Sequence, residues 1–402
     1  MKKDFIKGVS WLGALRGVGR SLSFVKTAIL ARILSPASFG VFGIASIVLE
    51  MLEVLTETGV NIFLVQEKDN VDKYISTSWV VSMIRGIIIS ILIILLAPFI
   101  SSFFKSADTL SLIYIISAVP FIRGFINPSV VKFQKEMSFN KEFFYSSFLF
   151  VIEASVSISL SIITRSPIAL IWGMVASAIV EVILSFIVVT PRPKLNLDSL
   201  LSKEIISRGK WVTGAGIFNY FFLHGDDIVV GRLLGQTSLG LYQVAYRISI
   251  LPITEVADIF GRVAFPAYVK HGEDKERLKK SFFKIVLGIA AIVIPFGIVL
   301  FIFTKEIVLI VLGSKWLEVV PVLKILIVYG VVKAIIHPAY AFFLAFKKQQ
   351  YVTFVTFAGI VGLFGSIFPL VAKYGINGAG MAALVGTLVS IPVIIYCLKK
   401  TL

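Results

Sequence analysis

Long apolar segments separated by short polar ones follow one another along the whole chain. A helix needs about 20 predominantly apolar residues to cross the hydrocarbon core of a bilayer, and these segments are long enough. The pattern therefore predicts about twelve membrane-spanning helices, half of them in each half of the chain. The predicted spans are residues 11–34, 39–61, 76–104, 110–128, 143–163, 168–189, 210–234, 239–261, 282–303, 319–346, 352–372 and 378–398. A shorter apolar run, 307–313, is predicted to cap the ninth helix or to lie at the interface.

The same local pattern occurs twice, at residues 30–42 and again 200 residues later at 230–242. In both copies an apolar segment ends at an arginine, Arg32 or Arg232, a short turn follows, and a second apolar segment begins at a glycine. Such a repeat is too long for a solenoid, and parallel repeats in a membrane chain are typical of transporters with two pseudo-symmetric lobes. We therefore expect the function to lie between the two halves.

The composition supports a membrane protein, because 57% of the residues are hydrophobic, 15% are charged and the mean hydropathy is +0.93. These values are far from those of soluble domains, so the predicted fold class is an all-α polytopic membrane protein. The net charge of +16 would suit nucleic acid only on a water-soluble basic module, and none is present, so we expect no nucleic-acid partner. The single cysteine, Cys397, excludes an intrachain disulfide.

Basic residues in the loops set the predicted orientation. With the N-terminus inside, lysine and arginine on the inner side outnumber those outside by roughly four to one, which follows the positive-inside rule. Both termini are therefore predicted to be cytoplasmic. The predicted organisation is a six-helix lobe at 1–190, a cytoplasmic linker at 191–209 and a second six-helix lobe at 210–402.

Enzyme motifs are missing from the sequence. It has no glycine-rich loop ending in Lys-Ser or Lys-Thr, no His-Glu-x-x-His, and only three histidines. The stretch Gly378-Ala-Gly380-Met-Ala-Ala383 imitates a dinucleotide fingerprint, but it opens a membrane helix with no preceding strand, which favours close helix packing. We therefore expect no enzyme, no catalytic residues, no metal site and no organic cofactor.

Charged residues inside the spans are informative, because each is costly unless it faces a cavity or a partner. On the first helix Arg16 and Arg20 share one face, and on the antiparallel second helix one face carries Glu50, Glu53 and Glu57. These side chains either form structural ion pairs between the two neighbouring helices, or the arginines face an anionic substrate.

Further cations lie deep in other spans, namely Arg123, Arg247, Lys324 and Lys333. A cationic cavity suits an anionic substrate, and arginine suits phosphate because its planar guanidinium binds two oxygens at once. Arg85 lies nearer the cytoplasmic surface and is expected to snorkel towards it. The spacing thus predicts several helices directing cations at one space.

Acidic residues of the second half have different expected roles. Glu255 and Asp258 are expected to be structural counter-charges. Asp226 and Asp227 lie on the repeat equivalent of the basic first helix. They either bind Na⁺ or H⁺ and couple its gradient to transport, or neutralise neighbouring arginines.

The residues also resemble a family. The matching features are residues 28–42, the segment 219–246 and the double repeat of twelve helices. The segment 219–246 contains Asp227 and the motifs Gly231-Arg232-Leu233-Leu234-Gly235 and Leu239-Gly240-x-Tyr242-x-x-Ala245. Together they resemble polysaccharide-exporter or Wzx-type flippases, in the superfamily of the multidrug and toxic compound extruders (MATE) and the lipid II flippase. The resemblance covers nearly the whole chain. It implies a MATE-like fold in the bacterial plasma (inner) membrane, where alternating access moves an undecaprenyl-pyrophosphate-linked oligosaccharide of O-antigen, capsule or exopolysaccharide to the outer leaflet.

The resemblance implies roles for individual residues. Arg16, Arg20 and Arg247 match positions where the lipid II flippase uses arginines towards pyrophosphate, and Asp227 matches a sodium-site acid. The sequence departs from this pattern in that its last two predicted helices contain no carboxylate, and two further C-terminal helices of many relatives are not found. Membrane lipids and polysaccharide polymerase machinery are the other partners implied.

Two other functions stay open. A cation-coupled multidrug antiporter of the same fold would have a cavity dominated by acids and aromatic rings. A membrane-embedded glycan polymerase or ligase would need a substantial outer loop with catalytic residues, and the predicted outer loops are short. The excess of deep arginine and lysine favours the flippase.

Overall fold

A computed structural model describes residues 2–57, 59–67, 71–270 and 275–401, and within these ranges all regular structure is helical. For some helical residues, Arg16 and Asp258 among them, only the backbone is described. Two short 3-10 helices occupy Pro128–Val131 and Ser314–Val319. The α-helices are α1 (Lys2–Ile33), α2 (Pro36–Leu55), α3 (Val60–Gln66), α4 (Asp72–Phe103), α5 (Thr109–Ile116), α6 (Ala118–Arg123), α7 (Lys132–Lys135), α8 (Phe139–Thr164), α9 (Ile168–Val188), α10 (Ser199–Lys270), α11 (Lys275–Ile302), α12 (Thr304–Val311), α13 (Val320–Ala345), α14 (Gln349–Tyr374) and α15 (Ile376–Thr401).

Every predicted span overlaps one of these helices. In the described part of the chain, eight helices are long and apolar enough to cross a membrane, namely α2, α4, α8, α9, α11, α13, α14 and α15. A ninth is counted if the bent pair Thr109–Arg123 and Pro128–Lys135 forms one span. The protein is therefore a multi-pass integral membrane protein. The number twelve stays a prediction.

The two copies of the repeat differ in the turn that joins their two apolar segments. In the first copy α1 ends before Ser35, whose hydroxyl accepts a hydrogen bond from the Ser38 amide at 3.2 Å, and Pro36 begins α2. In the second copy the two helical parts of α10 meet at a kink at Gly235, whose φ of 85° and ψ of 179° are not helical. The predicted turn there is this kink, at a glycine where the first copy has Ser35 followed by Pro36.

The chain divides into two compact units within α10, between Gly225 and Asp226. In the first unit α1 packs against α8, with the Trp11 ring 5.2 Å from that of Phe143. α8 and α9 approach so closely that a Cβ added at Gly173 would lie 2.0 Å from the Ser157 hydroxyl. Small residues thus set the spacing of these helices, as is usual in membrane bundles.

The segment after α9 is fastened to the first unit by hydrogen bonds. The Pro191 carbonyl accepts from the Asn127 amide group at 3.1 Å and from the Ser129 hydroxyl at 2.8 Å. The Lys194 amide donates to the Ser76 hydroxyl at 3.1 Å. The start of the predicted linker therefore forms part of the first unit, while the lobe boundaries stay a prediction.

In the second unit an aromatic cluster joins the end of α10 to α11, α13 and α14. Its buried members include Tyr268, Phe282, Phe342 and Tyr351. A Cβ added at Gly378 would lie 2.0 Å from the Leu370 carbonyl oxygen. This contact confirms that the glycines at the start of α15 serve helix packing.

Candidate functional site

A cavity of about 550 Å³ lies inside the first unit. Its walls come from α2, α4, α6 and the first part of α10. The polar and glycine lining residues are Glu50, Glu53, Glu57, Asn61, Ser82, Arg85, Gly86, Arg123, Gly124, Gly216, Tyr220 and His224. Charged side chains of several helices meet in this cavity.

Two glycines bring the cavity's arginines together. A Cβ added at Gly86 would lie 2.5 Å from the Pro120 carbonyl oxygen, and one at Gly124 would lie 3.0 Å from the Ser82 carbonyl oxygen. α4 and α6 are therefore in backbone contact at this level. Each glycine follows an arginine in the sequence, so the contact places Arg85 and Arg123 in the same cavity wall. The repeated Arg-Gly dipeptide is the sequence signal that could have revealed this wall.

Glu50, Glu53 and Glu57 line the cavity from one face of α2, as their spacing predicts. Each faces a basic side chain of a different helix. The pairs are Glu50 Oε2 with His224 Nε2 at 3.6 Å, Glu53 Oε1 with Arg123 Nη1 at 3.7 Å, and Glu57 Oε2 with Arg85 Nη2 at 3.5 Å. These partners come from α10, α6 and α4. Whether the arginines of α1 also pair with this face or meet an anionic substrate stays open.

Arg85 is held by the C-terminal end of α2. Its Nε donates to the Thr56 carbonyl oxygen at 2.9 Å, and its Nη2 donates to the Glu53 carbonyl oxygen at 2.6 Å. The last carbonyls of a helix have no partner within the helix and carry partial negative charge, so a guanidinium is favoured there. Arg85 therefore caps α2 inside the cavity, and its expected snorkelling towards the cytoplasmic surface stays a prediction.

Arg123 is held loosely by comparison. Its Nη1 lies 3.7 Å from Glu53, and its Nε lies 3.7 Å from Glu181 Oε2 of α9. Charge-assisted hydrogen bonds are about 2.7–2.9 Å long, so both contacts are ion pairs without a close hydrogen bond. The buried Nε has no hydrogen-bond partner among the described residues. The Nη groups, of which Nη1 lies 3.7 Å from Glu53, are therefore the donors with which Arg123 can bind a ligand.

His224 is a cavity residue that the sequence did not single out. Its ring stacks on Tyr220 with the centroids 4.7 Å apart and the planes 27° apart. The Tyr220 hydroxyl donates to the Ile47 carbonyl oxygen at 2.6 Å, which fixes the stack against α2. Gly216, Tyr220 and His224 recur every four residues, a helical spacing that places them on one face.

On α1 the roles expected for Arg16 and Arg20 stay predictions, while Lys26 has a described partner. Lys26 Nζ lies 2.5 Å from Glu153 Oε1, which joins α1 to α8. Arg20 is partly buried on α1 and is not among the lining residues of the cavity. The side chain of Arg16 lies outside the described residues.

The two aspartates lie at the start of the second unit. Asp226 is buried, and its Oδ2 accepts a hydrogen bond from the Tyr242 hydroxyl at 2.7 Å. Its Oδ1 accepts from the Asp227 amide at 3.0 Å, and Asp227 Oδ2 accepts from Gln243 Nε2 at 3.3 Å. The part of the chain that is described contains no group of three or more His, Cys, Asp or Glu side chains able to hold a metal ion.

Lys324 and Lys333 have different neighbours. Lys324 Nζ lies 5.1 Å above the Phe301 ring, whereas Lys333 Nζ donates to the Tyr329 hydroxyl at 3.0 Å. Nine residues along α13 correspond to about two and a half turns, which places the two lysines on opposite faces. Their expected role in a common cationic space stays a prediction.

The remaining predicted residues lie on α10. Arg247 is exposed on the surface of the second unit, and Glu255 is partly buried. The side chain of Asp258 lies outside the described residues.

Comparison with known proteins places this architecture in a family. The sequence profile of the family described as "Polysaccharide biosynthesis protein" matches residues 29–321. The chain belongs to this family. Among its relatives, an uncharacterized membrane protein in the cps region of Klebsiella pneumoniae is 27% identical over 96% of this chain and 80% of its own length. The lipopolysaccharide biosynthesis protein WzxC of Escherichia coli (strain K12) is 25% identical over 90% of this chain and 75% of its own.

Solved structures show the fold of this polysaccharide biosynthesis protein. The lipid II flippase MurJ in an inward closed conformation matches with a TM-score of 0.76 at 15% identity, over 96% of this chain and 87% of that one. An inward-facing multidrug resistance MATE family transporter of the MOP superfamily matches with a TM-score of 0.71 at 16% identity, over 95% and 94%. The predicted MATE-like fold class and the predicted family are confirmed.

Proposed function

We propose that this polysaccharide biosynthesis protein is a flippase that moves a lipid-linked oligosaccharide across the bacterial plasma membrane by alternating access. The substrate we propose is an undecaprenyl-pyrophosphate-linked repeat unit of a surface polysaccharide. The relatives named for lipopolysaccharide, teichuronic acid and succinoglycan biosynthesis support it, the last of these being called a transport protein. No step of bond making or breaking by the protein is required.

The observation that carries the proposal is the charged cavity inside a membrane bundle. Arg123 offers guanidinium donors to the cavity while its two carboxylate partners stay at 3.7 Å. A planar guanidinium with such donors fits a diphosphate, which presents several oxygens close together. Arg16, Arg20, Arg247, Lys324 and Lys333 stay proposed contacts for the diphosphate and the glycan at other stages of transport.

Orientation, coupling and partners are further parts of the proposal. The loop charge bias supports cytoplasmic termini. The buried carboxylate of Asp226, next to Asp227, supports a site for H⁺ or Na⁺. Polysaccharide polymerase machinery would receive the repeat units on the outer side of the membrane.

Lipid analysis of a strain lacking the gene tests the function. We expect a polyprenyl-pyrophosphate oligosaccharide to accumulate in the cytoplasmic leaflet, where a membrane-impermeant glycosidase added outside cannot reach it. The intact gene should remove this pool, and so should the control Glu136→Gln, whose side chain is exposed and outside the cavity. Arg123→Ala should leave the pool in place. Repeat units that accumulate in the outer leaflet would contradict a flippase and favour a polymerase or ligase.

One observation favours a second candidate, the cation-coupled multidrug antiporter. Glu50, Glu53 and Glu57 line the cavity beside the Tyr220 and His224 rings. Such acids and rings are suited to an organic cation. Increased sensitivity of the deletion strain to cationic drugs, without any change in its lipid-linked oligosaccharides, would establish this alternative in place of the flippase.

A further inference from the structure

Two glutamates lie at the same distance from Arg123. They differ in their position relative to the cavity. Glu53 on α2 lines the cavity, and 31% of its side chain is exposed. Glu181 on α9 does not line it, and 23% of its side chain is exposed. Both carboxylates lie 3.7 Å from the guanidinium. Because Glu53 lines the cavity and Glu181 does not, a ligand in the cavity can replace Glu53 more readily than Glu181.

The two acids also contact different atoms of the guanidinium. Glu181 faces Nε, the nitrogen nearest the helix, whereas Glu53 faces Nη1. An arginine binds phosphate or carboxylate oxygens through a fork of N–H groups, and the Nη groups are those at its free end. A diphosphate that binds the Nη groups therefore competes with the Glu53 carboxylate for Nη1, and it leaves the Glu181 contact intact.

We propose that Glu53 is an internal counter-ion of Arg123 that a diphosphate displaces, while Glu181 is a positioning residue that keeps the guanidinium directed at the cavity. The inference rests on the proposed function, since it takes the diphosphate of the lipid-linked substrate as the ligand. In the empty cavity Glu53 balances the charge of Arg123. This balance lowers the attraction for small anions with one phosphate, so that a ligand with two phosphates is selected.

Arg85 does not share this exchange. Its guanidinium is bound to two backbone carbonyls of α2, which a ligand does not displace without ending the cap of that helix. The 3.5 Å contact with Glu57 adds a charge partner on the same helix end. Arg85 therefore stays in place while Arg123 exchanges partners.

The test is binding of inorganic pyrophosphate to the purified full-length protein in nanodiscs of zwitterionic lipid, by calorimetric titration. We expect Glu53→Gln to lower the Kd about tenfold, because an anion no longer has to be displaced. Glu181→Gln should leave the Kd unchanged or raise it, because Arg123 loses its positioning partner. Arg123→Gln should raise the Kd at least about tenfold. The exposed Glu136→Gln is the matched control and should change nothing.

The outcomes separate the inference from simpler explanations. Equal tightening by Glu53→Gln and Glu181→Gln would mean that any removed negative charge helps, which overturns the assigned roles. Weaker binding by Glu53→Gln, or no pyrophosphate binding by any variant, would overturn the displacement itself. If Glu53→Gln does not fold, Glu53→Asp withdraws the carboxylate by one methylene and should also tighten binding. Failure of the flippase function would be visible separately, in the lipid analysis of the deletion strain.

Discussion

Lys26 and Arg123 of the first unit differ from Asp226 and Lys333 of the second unit in the partners that hold their charge. Lys26 pairs with Glu153 and Arg123 with Glu53, which are opposite charges on other helices. Asp226 accepts from the Tyr242 hydroxyl, and Lys333 donates to the hydroxyl of Tyr329.

The two kinds of partner, an opposite charge or a tyrosine hydroxyl, suit different functions. An ion pair is neutral overall, and when a ligand of the same charge takes the place of one member, the other member keeps a counter-charge. A tyrosine hydroxyl supplies a dipole and does not cancel a unit charge. A carboxylate such as Asp226, held mainly by a hydroxyl, an amide and burial, therefore gains more from a proton or a cation. The first unit suits an anionic substrate, and the second suits the coupling ion that we propose.

The largest effect is expected from a glycine in the wall of the first unit. A Cβ at Gly86 would meet the Pro120 carbonyl oxygen at 2.5 Å, so Gly86→Ala must separate α4 from α6 and move both arginines. We expect loss of surface polysaccharide export together with less folded protein, measured by complementation and by size-exclusion chromatography of a fluorescent fusion. The control is Gly365→Ala in the second unit, where a Cβ would have no described neighbour within 4 Å. Equal activity of the two variants would contradict this account of the cavity wall.

A smaller effect, limited to coupling, is expected in the second unit. Asp226→Asn keeps the shape of the side chain and removes its charge, so transport in vesicles should continue at a low rate and lose its dependence on an imposed ion gradient. Folded protein should remain near the wild-type amount, because the amide can still accept from Tyr242. The comparison between the units would fail if Asp226→Asn kept a normal gradient dependence.

The smallest effect on transport is expected from the arginine that caps α2. Arg85→Ala removes two hydrogen bonds to backbone carbonyls and should lower the free energy of unfolding by about 1–3 kcal/mol, seen as a lower melting temperature. The Kd for pyrophosphate should change less than about twofold when binding is measured per folded molecule. A tenfold change would correspond to about 1.4 kcal/mol. Arg123→Ala should show the opposite pattern, with little change in melting and a large loss of binding. Similar behaviour of the two variants would remove the distinction between cap and ligand group.

The sequence alone determined the elements, the fold class and the family. Runs of about 20 apolar residues can satisfy their backbone hydrogen bonds in a membrane only as helices, so each run predicts its own structure. The face of Glu50, Glu53 and Glu57 on α2 also follows from spacing alone, because helical geometry fixes which side chains share a side. For the same reason the glycines beginning with Gly378 indicated close packing before any neighbour was known.

Only the tertiary structure decided which charges meet. Arg85 and Arg123 are far apart in the sequence, and their common wall depends on the backbone contact at Gly86 and Gly124. A sequence pattern gives the face of each helix but not the helix next to it. From the sequence, the glutamates of α2 could therefore be paired with the arginines of α1 as well as with those of α4 and α6. The difference between Arg85 as a cap and Arg123 as a ligand group was decided by distances of a few ångströms between helices. Such distances depend on how side chains pack between helices, which periodicity along one helix does not encode.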